Sequence, residues 1–217
     1  MTGGVGSIAG FFAARLAGAV QPGPSCGDAT AAQTAGPFYP TRDRDDEDVD
    51  LTWVRGRKER AAGDVIHVRG RVLDEQCQPI EGALVEVWQA NKWGRYDHEE
   101  DAGNPRPLDP NFQSWGEVRT GQDGRYGFKT IKPGSYPVDD EGWIRPPHLH
   151  FKVSRRGYHE LITQMYFAGE PLNEPDQIRR ELSPKEKALV TIELGQGPDI
   201  EAGALAGIFD ITLRRVA

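Results

Sequence analysis

The chain has 217 residues, 37% of them hydrophobic, enough for one generous domain; no apolar run reaches the ~18 residues a bilayer-spanning helix needs. A formal charge of −7 argues against a nucleic-acid polyanion as partner. Only two cysteines, Cys26 and Cys77, are present, which excludes a cysteine-built zinc or iron–sulfur framework.

At the N-terminus, Val5 to Ala19 is small and apolar, and Ala17-Gly18-Ala19 resembles a small-residue cleavage site. No basic segment precedes it and Arg15 interrupts it, so two readings stand: an ordinary extension, or the remnant of an export signal. Two cysteines suit an oxidising compartment, which tips the expectation slightly toward export over the cytoplasm. Residues 1–30 are accordingly assigned to an N-terminal extension and 31–217 to the folded domain. Residues 20–64 are rich in Pro, Gly, Asp and Arg, and the charged stretch Thr41–Asp48 reads as a solvated loop.

From Val65 onward the pattern is β. Ile66–Leu73 and Ala83–Gln89 alternate apolar and polar residues over strand-sized lengths. The turn signal Gln122-Asp123-Gly124 precedes Tyr126–Ile131, and Phe151–Val153, Leu161–Phe167, Leu189–Leu194 and Phe209–Leu213 complete the expected strands. Ser183-Pro184 reads as the N-cap and first residue of one short helix. Many short strands without alternating long helices predict an all-β, antiparallel sandwich or barrel with long loops and an N-terminal arm.

His148 and His150 carry the first chemical signal. On a strand they project to one face while Leu149 points to the other, which makes half of a metal site. Taken alone, such a pair is more often a surface feature, and its partners decide the metal. Phenolate oxygen, a hard anionic donor, suits Fe(III). Gly142-x5-His148-x-His150 also matches the start of a cupin motif, a β-barrel host of Fe(II) dioxygenases, but Ser154 and Arg155 stand where its glutamate belongs.

Six motifs then follow one another in a specific order: Val85-Glu-Val-Trp-Gln-Ala-Asn91, Gly94-Arg-Tyr96, Pro107-Leu-Asp-Pro-Asn-Phe112, Thr130-Ile-Lys-Pro-Gly-Ser-Tyr-Pro137, Arg145-Pro-Pro-His-Leu-His-Phe151 and Leu161-Ile-Thr-Gln-Met-Tyr-Phe167. In this order the chain resembles the intradiol ring-cleavage dioxygenase family, most of all the catalytic (β) chains of protocatechuate 3,4-dioxygenases and their single-chain relatives. The resemblance implies a prealbumin-like β-sandwich holding one mononuclear non-haem Fe(III) through Tyr96, Tyr136, His148, His150 and a solvent-derived hydroxide. By it Tyr136 and His150 are axial ligands, Tyr96 and His148 equatorial, and Tyr136 also serves as a base for the substrate. Arg145 and Gln164 take catalytic positions, and Trp88, Tyr166 and Ile178 line the pocket. The implied reaction inserts both atoms of O2 into a catechol-type ring, a protocatechuate-like one favoured, to give a cis,cis-muconate-type diacid. Charge balance agrees: two phenolates and one hydroxide cancel three positive charges, and a neutral centre is cheap to bury.

Gln33-Thr-Ala-Gly-Pro-Phe38 resembles instead the entrance motif of the family's α subunits. Gly36, Pro37 and Phe38 are therefore expected to line the pocket of this chain or of a symmetry mate; a separate α subunit is not expected, and a homo-oligomer stays open. Cys26 and Cys77 match positions paired in secreted single-chain members, which implies a disulfide between them. The bland alternative is a non-catalytic α-like or prealbumin-like binding module. His67, His98 and His159 are read as surface residues and Tyr39, Tyr126 and Tyr158 as packing or loop residues. Trp53, Trp93, Trp115 and Trp143 are read as core or pocket walls, core favoured.

Overall fold

The computed structural model describes residues 27–41, 46, 48–138, 142–197 and 199–216. The expected export-signal remnant and Cys26 lie outside the described residues, as do positions 42–45 and 47 of the charged loop. In chain order the strands are β1 (Val65–Asp74), β2 (Leu84–Trp88), β3 (Trp115–Arg119), β4 (Arg125–Ile131), β5 (Tyr136–Pro137), β6 (Ile144–Arg145), β7 (His148–Ser154), β8 (Leu161–Phe167), β9 (Thr191–Ile192), β10 (Leu205–Ile208) and β11 (Ile211–Leu213). Two short helices, α1 (Gln177–Arg180) and α2 (Pro184–Leu189), fall between β8 and β9.

β1 organises one sheet. Ile66, Val68 and Val72 are buried while Arg69 and Arg71 are exposed, the two-residue period of a half-buried strand. β4 runs antiparallel along one edge of β1, and β10 and β11 share the other edge. The second sheet has the order β3-β2-β7-β8-β9. Val85 and Val87 of β2, Leu149, Phe151 and Val153 of β7, and Leu161, Met165 and Phe167 of β8 face Ile66, Val68, Val72 and Phe128 of the first sheet in one apolar core. Each such side chain contributes roughly 1.5–3 kcal/mol when fully buried. The result is the expected sandwich.

The expectation that all pairings are antiparallel is corrected at three places. β1–β10, β1–β11 and β8–β9 are parallel, because each joining strand returns through a long connection rather than a hairpin. Leu189–Leu194 is not one strand either. Ser183 and Glu186 form a reciprocal capping box that, with Pro184 at the first helical position, carries the helix through Leu189, and only Thr191–Ile192 remain extended.

The site is built on the face of the second sheet turned away from the core. Alternation sends Glu86 and Trp88 of β2, His148, His150 and Lys152 of β7, and Ile162, Gln164 and Tyr166 of β8 to that side. Trp88, Ala90, Tyr96, Trp115 and Tyr136 form a separate apolar cluster there, against which Ala35, Phe38 and Tyr39 of the arm pack. The arm is tied down by backbone bonds from Thr30 to Thr212 (3.0 Å) and from Gln33 to Ile162 (2.8 Å). A sheet face dressed with polar groups and two imidazoles is thereby covered by the arm.

Candidate metal and catalytic site

β7 is an interior strand, so both histidines are 2% exposed rather than on a sheet edge. Their Nε2 atoms lie 3.1 Å apart. His148 donates from Nδ1 to the Pro146 carbonyl at 2.6 Å, which fixes its tautomer and leaves Nε2 a lone-pair donor. The His150 ring stacks on Trp88 at 4.8 Å and 10°, and its Nδ1 is buried without a partner. Burial, with the Arg145 guanidinium adding, pushes His150 down to about 3 and His148 well below its ordinary range. Both imidazoles are therefore neutral, the form that binds a metal.

The tyrosines come from two loops that interlock. Asn91 closes the first: its Oδ1 accepts the amides of Trp93 (2.9 Å) and Arg95 (3.2 Å), and its carbonyl accepts that of Gly94. The same carbonyl accepts the amide of Gly134 in the second loop. Gly94, at φ +77°, faces the Ser135 carbonyl, and Gly134 faces that of Lys92, so a side chain at either glycine would collide with the opposite backbone. Arg106 staples the pair by donating to the carbonyls of Ser135 and Trp93. The crossing brings the rings of Tyr96 and Tyr136 to 5.6 Å at 87°, with Tyr136 5.8 Å from His148 and Tyr96 6.3 Å from His150. The Tyr96 hydroxyl is buried, with the Tyr136 hydroxyl as its polar neighbour and no well-formed bond to any other group. Burial raises both phenols, most strongly Tyr96, while Arg145 opposes the rise. A phenolate here needs a cation.

Arg145 is the cross-strand neighbour of Tyr136 and is itself buried. Its Nε donates to Asp176 Oδ2 at 2.7 Å and its Nη2 to Gln164 Oε1. Gln164 donates to the Thr34 carbonyl (2.9 Å), and the Tyr166 hydroxyl donates to Gln33 Oε1 (2.9 Å). Asp176 was not foreseen, and Gln33 and Thr34 were read only as part of the entrance motif, without a role of their own. Asp176 is fully buried and also caps α1 by accepting the Arg179 amide at 2.7 Å. Its only sequence signal was an acidic residue just before a short helix. Ile178 rides on the same helix, half-buried two residues after Asp176.

The arm motif belongs to this chain's own site. Gly36, at φ +68°, presents its α-carbon to His150, and Phe38 stacks on Tyr96 at 4.4 Å and 25°; Pro37, exposed, links them. Cys77 lies exposed in the turn after β1 at φ +66°; its expected partner Cys26 is outside the described residues. Two assignments need correction, His98 as a surface residue and Trp53 as a core one. His98 accepts the Glu100 amide at Nδ1, which leaves Nε2 to donate to the Tyr39 carbonyl (3.1 Å), and Trp53 is 36% exposed because its loop lies outside both apolar clusters. An open cavity of about 690 Å³ reaches Tyr96, and a larger one of about 810 Å³ is walled by Trp143, Ile144, Leu172, Gln177 and Arg180. Neither encloses all four donors, so size alone does not mark the site. Among the described residues no group of three or more His, Cys, Asp and Glu side chains could hold a metal ion, which leaves a cupin-type centre without its third ligand. No helix among them is long and apolar enough to cross a membrane.

Comparison with known proteins agrees with this geometry. The family described as Dioxygenase matches residues 34–214. The protocatechuate 3,4-dioxygenase beta chain of Burkholderia cepacia is 41% identical over 181 residues, covering 82% of this chain and 76% of that one. The hydroxyquinol 1,2-dioxygenase of Rhizobium sp. (strain MTP-10005) is 35% identical across 54% of this chain and 42% of its own length. Among solved structures, the dioxygenase domain of a dioxygenase–carbohydrate-binding protein fusion from Streptomyces sp. SirexAA-E superposes with a TM-score of 0.65 at 28% identity, over 87% of this chain and 100% of that domain. The chain belongs to the intradiol ring-cleavage dioxygenase family, whose members are ring-opening oxidoreductases.

Proposed function

We propose that this chain holds one mononuclear Fe(III) through Tyr96, Tyr136, His148 and His150 and uses it to cleave a catechol-type ring between its hydroxyl-bearing carbons. The family uses non-haem iron. The observation that carries the assignment is the donor set: two imidazole Nε2 atoms 3.1 Å apart, beside two buried tyrosines whose hydroxyls have each other as close polar neighbours. Two phenols, whose pKa values burial raises, and two neutral imidazoles match the hardness and charge of a ferric ion. Ferric iron, when bound, supplies the Lewis acidity that makes phenolates of these tyrosines and draws electron density from a bound catecholate.

The chain's own residues do the rest. Tyr136 accepts a catechol proton at its Oη. Arg145, held by Asp176 and Gln164, places a fixed positive charge where negative charge develops on the ring. The arm from Gln33 to Tyr39 excludes water from above, and the missing side chain of Gly36 leaves room beside His150. Gly36, Pro37, Phe38, Trp88, Tyr166 and Ile178 wall the pocket. Because the α-like motif of this chain already covers its own site, a separate α subunit is unnecessary. The likeness to a protocatechuate 3,4-dioxygenase beta chain favours a protocatechuate-like substrate over unsubstituted catechol or hydroxyquinol.

The test is oxygen uptake by iron-loaded protein against protocatechuate, catechol and hydroxyquinol, with products separated. The expected result is a coloured, tyrosinate-ligated protein that consumes one O2 per ring and yields a muconate-type diacid carrying both labelled oxygen atoms. A well-folded, colourless protein that takes up no iron and turns over none of the three would refute the reading and support a binding module.

A further inference from the structure

Tyr39, read from the sequence as a packing or loop residue, occupies a place that the reaction as outlined does not use. On the ladder between β2 and β7, Glu86 pairs with Lys152 and, two residues on, Trp88 pairs with His150. Both pairs project to the site face, and Tyr39 lies across the two of them. Its hydroxyl donates to Glu86 Oε1 at 2.6 Å and accepts from Lys152 Nζ at 3.2 Å; Lys152 is itself 3.6 Å from Glu86 Oε2. Its ring meets Trp88 at 5.0 Å and 86°, on the indole that stacks on His150. Its carbonyl accepts from His98. Glu86 is 6% exposed, an unusual position for a carboxylate on a sheet unless something fastens to it.

We infer that Tyr39, fastened to Glu86 and Lys152, is a positioning residue that sets Phe38 on Tyr96 and Trp88 on His150. The geometry supports this from both ends of the motif. Upstream, Gln33 pins the arm through its amide to Ile162, its side chain to Thr163 Oγ1 (3.1 Å) and the Gln164 carbonyl (3.0 Å). Downstream, Tyr39 is the next strong attachment, and Gly36, Pro37 and Phe38 span the gap over the donors. Gly36 at φ +68° lacks the steric stiffness of other residues, so the segment depends on its two ends for its shape. Releasing one end frees Phe38 from Tyr96 without touching any donor. Tyr39 itself is not catalytic; it acts through Trp88 and Phe38.

The decisive variants are Tyr39→Phe, which keeps the ring against Trp88 but removes the hydroxyl, and Glu86→Gln, which keeps a carbonyl acceptor for it. In the metal-free full-length chain, hydrogen exchange of residues 30–41 is expected to accelerate in Tyr39→Phe by about 10- to 100-fold, the equilibrium worth of a hydrogen bond to a charged group, with β2 and β7 unchanged. Glu86→Gln, which keeps an acceptor but removes its charge, should show an intermediate acceleration, smaller than that of Tyr39→Phe. In the iron-loaded enzyme, which rests on the dioxygenase reading, Tyr39→Phe should raise KM for the catechol about tenfold with kcat altered less than about threefold, and displace the visible tyrosinate absorption. Tyr39→Phe with wild-type exchange, KM and absorption would overturn the inference. A wild-type protein without iron or turnover overturns the dioxygenase reading instead, and the exchange measurement still decides whether Tyr39 fastens the arm.

Discussion

Consider the exchange of Asp176 for asparagine. Asp176 is fully buried and uses both carboxylate oxygens: Oδ2 takes Arg145 Nε and Oδ1 takes the Arg179 amide, each at 2.7 Å. Asparagine matches it in size but has one accepting oxygen, so one of the two bonds must be lost and its amide nitrogen must point at a donor. The charge is lost as well, leaving the guanidinium, 4% exposed, with only the neutral Gln164 carbonyl. Breaking a buried pair by removing one partner typically costs about 3–5 kcal/mol. For a domain of this size each kcal/mol moves Tm by roughly 2–4 °C, so thermal unfolding is expected to fall by about 6–20 °C. The four donors lie on other elements, so iron content and colour should persist. Turnover should drop by about 10²–10³, as when a fixed electrostatic donor leaves its productive orientation. Arg145→Leu should show the same loss of turnover with colour retained, and adding Asp176→Asn to it should cost little more, because the two act as one unit. Differential scanning calorimetry, iron per chain and steady-state oxygen uptake read the three quantities. An Asp176→Asn protein with wild-type Tm and turnover would show that Arg145 needs no carboxylate to hold it, and the orientation argument would fall.

Three further outcomes are expected. Gly94→Ala places a methyl group against the Ser135 carbonyl at φ +77° and pries the tyrosine loops apart, so the purified protein should carry well under one iron per chain by metal analysis; full occupancy would refute the interlock. Iron loading should raise Tm with the logarithm of the free-metal excess over Kd, and stripping with chelator should reverse the shift, because the folded donors bind and the unfolded chain does not; a Tm indifferent to iron contradicts the donor assignment. Burial tends to raise the Asp74 carboxyl, but hydrogen bonds from Arg215 and from the Gln78 and Gln76 amides outweigh it and hold the group below its ordinary value of 3.8. A depressed folded value means stabilisation that is complete above the unfolded pKa and lost as pH falls through the folded one. Asp74→Asn should therefore be less stable than wild type at neutral pH, with the gap closing below about pH 4 in denaturant titrations; a gap constant down to pH 2 would contradict the assignment.

How much of this was legible in the sequence depended on how local the cause was. β1 and β2 could be read because alternation is written into consecutive residues, and the helix from Pro184 because its cap is written into four. β3 could not: Trp115-Gly-Glu-Val-Arg119 contains a glycine and two charges, and it is a strand because β2 offers it an edge. β10, Leu205-Ala-Gly-Ile208, is only four residues with Ala and Gly at its centre, and exists because β1 has a second edge to fill. The same division runs through the site. The four donors sit in motifs whose order could be recognised, whereas Asp176 and Tyr39 act on partners 31 and 47 residues distant in the chain, and no local pattern names such a partner.

The two residues that the sequence concealed have a common physical origin. A metal centre in the interior of a sandwich would be sheltered by the opposing sheet, but the proposed one stands on the outer face, where water would solvate the imidazoles and phenols and abolish their pKa shifts. Shelter has to be imported from elsewhere in the chain: the arm covers His150 and Tyr96, and the turn leading into α1 covers Arg145. Each cover must be fastened to the sheet by a bond strong enough to survive at a partly exposed margin, and a neutral hydrogen bond of about 1 kcal/mol is weak for that purpose, whereas a bond to a charged group contributes about 1.5–3 kcal/mol. This explains why a buried carboxylate stands at each fastening point, Glu86 under the arm and Asp176 before α1, beside a site whose own electrostatics would be better served by fewer charges. It also separates their expected consequences: loss of the Glu86 fastening should loosen the cover over the proposed donors and act on substrate binding, while loss of the Asp176 fastening should misplace Arg145, the cation proposed to act at the reacting ring, and act on turnover.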